Sequence, residues 1–77
     1  MQRYFFHLRQ GDVFEEDPEG VLLDSDEAAL DEAVGAAREM VAEAVLNNVL
    51  IDGRRVEIWV DGRGLITSVP FHSVIRL

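Results

Sequence analysis

The sequence predicts an α+β fold of order β-β-α-β-β, with one long helix packed on one face of a four-stranded antiparallel sheet. Three observations predict it. Residues 3–9 and 55–61 alternate side chains at the strand period, and residues 24–48 carry a helix-period apolar stripe behind an acid-rich start. Gly-containing turns fall at Gln10-Gly11-Asp12 and Asp61-Gly62-Arg63-Gly64, where two hairpins need them.

Residues 3–9 read as the first strand and Val13–Glu16 as its hairpin partner. Asp17-Pro18-Glu19-Gly20 has the composition of a type I turn, and it leads into a short apolar segment, Val21–Leu23, expected as a twisted edge. Asp24 or Ser25 caps the helix, with Glu27 in a capping-box-like spacing and Asp26 adding charge to the first turn. Leu30, Ala33, Val34, Ala37, Met40, Val41, Ala44 and Val45 form its apolar stripe, and Asn47 or Asn48 tolerates the left-handed end. Val56, Ile58 and Val60 then alternate with Glu57 and Trp59 in the clearest strand, and Leu65–Val69 is the last, ended or held at an edge by Pro70.

A chain of 77 residues is expected to form one domain, residues 1–77, at a size where folding usually needs a disulfide, a metal or a second subunit. It has no cysteine, and two separated histidines, His7 and His72, cannot make a structural metal cage. Oligomerisation, a homodimer in the simplest case, is the remaining device. Neither a basic-then-apolar leader nor a long apolar span is present, so a cytoplasmic location is expected. The net charge of −8 is uneven: residues 1–43 hold twelve acids and three arginines, residues 44–77 three acids and four arginines. Such a charge repels phosphate backbones and anionic lipid, so neither nucleic acid nor membrane is an expected partner.

No serine has a base and an orienting group arranged around it in sequence, so no catalytic residue is assigned and a non-catalytic module is expected. The acidic stretch DVFEEDPEG lacks the alternating ligands, central glycine and distal glutamate of a calcium loop, and Gly62-Arg63-Gly64 does not precede a helix as a phosphate loop would. No metal or cofactor is implied. Arg54, Arg55 and Arg63 are expected to pair with the chain's own acids.

The candidate surface is an interface. Strand alternation that buries Tyr4, Phe6 and Leu8 turns Phe5 and His7 to the other face, together with Trp59 and with Ile66 from the last strand. Either the tail from Phe71 to Leu77 covers that face, or a partner does, a second copy included. On the helix, Ala28, Gly35 and Ala42 recur every seven residues opposite the stripe, and Leu46 extends the line. Such small residues permit close approach by another helix, although alanine is also an ordinary exposed helix former.

The opening Arg3-Tyr4-Phe5-Phe6, the acidic turn ending Glu19-Gly20, the Asp52-Gly53-Arg54-Arg55 turn and the Val69-Pro70-Phe71 ending together resemble a small bacterial family of unknown function, over nearly the whole chain. That family offers no activity to transfer. More loosely, the hairpin, the acidic turn and the Glu/Ala-rich helix are similar to the sheet-and-helix domain of HicB-type antitoxins. The chain departs from it in having two strands after the helix and no DNA-binding appendage. This likeness implies an alternative role, binding a basic protein partner through the acidic half. A further alternative is a small enzyme or ligand-binding subunit with its pocket at a dimer interface.

Overall fold

The computed structural model describes residues 1–75. Its elements are β1 (Gln2–Gln10), β2 (Val13–Glu15), β3 (Val21–Leu23), α1 (Asp26–Leu46), β4 (Arg54–Val60) and β5 (Gly64–Pro70), followed by a 3₁₀ turn at Phe71–Val74. The α+β class and the antiparallel sheet with one helix are as expected. The strand number is not: the sheet has five strands, ordered β2-β1-β4-β5, with β3 also on β1.

The fifth strand arises because β1 is nine residues long while β2 is three. β2 pairs Leu8–Gln10, and the chain returns to lay β3 along Gln2–Tyr4 on the same edge. The break between them is closed by Asp17. Its carboxylate accepts the Phe6 N–H at 3.2 Å and the Glu19 and Gly20 N–H groups at 3.2 Å each. A side chain thus satisfies an edge donor that no strand residue reaches. Gly20 makes the return possible: its φ is +68°, and a Cβ there would lie 2.8 Å from both the Tyr4 carbonyl oxygen and the Phe5 ring.

The helix begins at the second of the two candidate caps, Ser25, whose Oγ accepts the Ala28 N–H at 3.1 Å. It ends at Leu46, and Asn48 takes the left-handed conformation at φ 56°. Its buried line is Ala29, Ala33, Ala37, Val41 and Ala44, with Val34 and Met40 partly buried beside it. Leu30 and Val45, expected in the stripe, are 43% and 68% exposed. The reason is spatial. Tyr4, Val56, Ile58, Val60, Val69 and Phe71 fill the layer from the sheet side and the C-terminal turn, so alanine fits the remaining gap and larger side chains sit at the flanks.

Pro70 closes β5, and β5 is an edge strand, as its proline requires. Beyond it the chain turns to the helix side, where Phe71 is buried and Val74 and Ile75 pack on the core. Cover of the other face by the tail is therefore not what Phe71–Ile75 provide; Leu77 lies outside the described residues.

Candidate interaction surface

Alternation along β1 sends Arg3, Phe5, His7 and Arg9 away from the helix, and the antiparallel register places Trp59 opposite Phe5, Glu57 opposite His7 and Arg55 opposite Arg9. Phe14 of β2 lies opposite Arg9 on the other side. The imidazole of His7 sits among three rings: Phe5 stacked at 5.9 Å, Phe14 edge-on at 5.1 Å and Trp59 tilted at 5.9 Å between centroids. Its Nδ1 accepts the Asp17 N–H at 2.9 Å, which fixes the ring in its plane. All four rings are half-buried.

Beneath them lies an ionic group. Glu57 is only 3% exposed, and its carboxylate accepts from Arg9 Nε at 2.8 Å and from Trp59 Nε1 at 3.0 Å, with Arg55 at 3.4 Å. Burial alone pushes this carboxyl's pKa up, but the Trp59 and Arg9 hydrogen bonds and the two guanidinium charges outweigh it, so the net direction is down. Arg9 also lies 4.3 Å above the Phe14 ring. One guanidinium therefore ties the aromatic cluster to the buried acid. Asp17, at the cluster's edge, likewise sits low despite burial, because the Gly20, Phe6 and Glu19 amides hydrogen-bond its charged form.

Of the candidate interface residues, Phe5, His7 and Trp59 come together and Ile66, Gly35 and Leu46 do not. Ile66 was expected beside Trp59. The register shifts between Ile58 and Trp59, where Trp59 pairs with Leu65 and Ile58 with Thr67, and Ile66 packs against the helix-side core. Gly35 and Leu46 lie on the outer helix surface: Leu46 is 86% exposed, and a Cβ at Gly35 would point into open space with nothing within 4 Å. Phe14, Arg9 and Glu57 are the members that sequence reasoning does not single out. Their signal is the alternation itself, since Arg9 shares Phe5's parity and Glu57 shares that of Trp59.

Arg55 and Arg63 pair with acids, Arg63 making two bonds to Asp26 at 2.8 and 2.9 Å, whereas Arg54 donates to Gln10 Oε1 at 3.1 Å. Ser73 Oγ donates to the Pro70 carbonyl at 2.6 Å and Ser25 caps the helix, so both hydroxyls serve the backbone. Among the described residues, no group of three or more His, Asp or Glu side chains is placed to hold a metal ion. A half-open cleft of about 380 Å³ lies between the C-terminal half of α1 and the sheet, lined in part by Leu8, Met40, Ala44, Val49 and Arg54.

The motifs noted above, from Arg3 to Phe71, fall within one match of residues 3–72 to a protein family. The chain belongs to the family described as a domain of unknown function, DUF6894. In this DUF6894 chain the match covers the whole helix and every strand, save only Gln2 at the start of β1. No curated protein and no solved structure matches it, and no HicB-type likeness is found. No helix is long and apolar enough to cross a membrane among the described residues.

Proposed function

We propose that this chain is a non-catalytic protein-interaction module that works as a homodimer and presents its bare sheet face to a partner protein. One observation carries this: four rings, Phe5, His7, Phe14 and Trp59, are gathered on the sheet face opposite the helix, where the Asp17–Gly20 turn touches His7 and Phe5 at the cluster's edge. A clustered aromatic surface held rigid by a buried ion pair is the composition of an interface centre, where aromatic and arginine side chains are enriched. Its side chains are preorganised, so little ordering entropy opposes docking.

The test is the Phe5→Thr variant. Phe5 lies in the centre of the face but outside the Glu57 network, and threonine suits a strand. Affinity capture from native lysate should recover a partner with the wild-type protein and lose it with the variant, whose unfolding transition remains cooperative. Identical captures, or none with either protein, would count against this role for the face.

A further inference from the structure

The two edges of the sheet differ. On one, β2 and β3 both cover β1, and Asp17 closes the gap between them. On the other, β5 pairs with β4 alone, and no strand adjoins its outer side among the described residues. Its sequence, GLITSVP, has seven residues and no charge. An open edge is a template for another strand, and proteins that stay monomeric commonly blunt it with lysine or bury it. Here the register shift at Ile66 and the terminal Pro70 trim the edge without covering it. Acids crowd α1 and the β2–β3 connection, so β5 is also where two copies, each of charge −8, meet with least repulsion.

We infer that β5 is the homodimer interface, the β5 strands of two copies pairing antiparallel about a two-fold axis near Thr67. This rests on the homodimer reading above and names its contact. The two sheets become one, and a two-fold perpendicular to the sheet leaves both aromatic faces on the same side. Leu65, which is 50% exposed and pairs with Trp59, continues the Phe5–Trp59 row to the joined edge. The dimer then offers a partner two adjacent contact patches, a gain through effective concentration rather than through new contacts.

Thr67 is exposed and lies mid-strand, so a charge there spares the core and faces its own copy across the axis. Sedimentation equilibrium would compare the wild type with Thr67→Lys, Thr67→Asp, their equimolar mixture and Thr67→Val. The wild type and Thr67→Val should dimerise, each charged variant should need at least about tenfold higher concentration, and the mixture should recover. In the wild type, amide exchange across Leu65–Val69 should slow as concentration rises, a readout that needs no variant. A wild-type dimer with unchanged Thr67→Lys association and concentration-independent exchange overturns the edge contact and leaves the homodimer standing. A wild type that stays monomeric overturns both.

Discussion

The Arg9 guanidinium reaches diagonally from β1 to β4 and donates through Nε to the Glu57 carboxylate at 2.8 Å, on the face that carries no helix. The acid is buried and the arginine half-exposed, so removing Arg9 leaves a charge that water cannot easily reach with only the Trp59 N–H and the longer Arg55 contact. Arg9→Met should cost about 1.5 to 3 kcal/mol by denaturant midpoint, the range for a hydrogen bond to a charged group. Adding Glu57→Met to it should recover part of that loss, because the under-compensated buried charge goes too. A double variant less stable than Arg9→Met would contradict this account of the pair. Since the folded state lowers the Glu57 pKa, its stabilisation is present above the ordinary glutamate value and fades as pH falls through the folded one.

Asp26 gives a separate pH signature. Its carboxylate takes two bonds from Arg63 and one from the Tyr4 hydroxyl at 2.6 Å, and these hold its pKa at about 2. The same contact raises the Tyr4 phenol, chiefly through its hydrogen bond to Asp26. Depressed in the folded state, Asp26 favours folding above the ordinary aspartate value, and that contribution is lost as pH falls through about 2. Carboxyl NMR titration should place its midpoint there, and Arg63→Gln should move it back toward the usual range. An unchanged midpoint in the variant would show that Arg63 is not the cause.

Two glycines should respond to alanine with opposite signs. At Gly35 the added methyl meets nothing within 4 Å in an exposed helix position, so Gly35→Ala should stabilise by about 0.4 to 1 kcal/mol at unchanged denaturant slope. At Gly20 the methyl meets the Tyr4 carbonyl and the Phe5 ring at 2.8 Å with φ at +68°, so Gly20→Ala should destabilise by about 1 to 3 kcal/mol. Loss of stability at Gly35 would mean that another helix packs there.

Strand parity was legible because it is local: Tyr4 against Phe5, or Ile58 against Trp59, follows from alternation with no knowledge of neighbours. The helix cap and the Asn48 terminus were legible for the same reason. What escaped was set by contacts distant in sequence. β3 exists only because β1 outruns β2, and three residues carry no pattern of their own. Hydropathy favours Leu30 and Val45 over Ala29 for the helix's inner face, whereas the space left by Tyr4 and Phe71 favours alanine. Ile66 departs from strand parity because a one-residue register shift turns a side chain to the opposite face.

The central claim, that the face around His7 is a contact surface, is tested most directly by hydroxyl-radical footprinting of Trp59 and Phe5. The reference is Leu46, exposed on the helix and away from that face. Oxidation in the purified protein should be appreciable at all three. In native lysate it should fall at Trp59 and Phe5 while Leu46 is unchanged. Equal oxidation of Trp59 and Phe5 in both settings would contradict the claim.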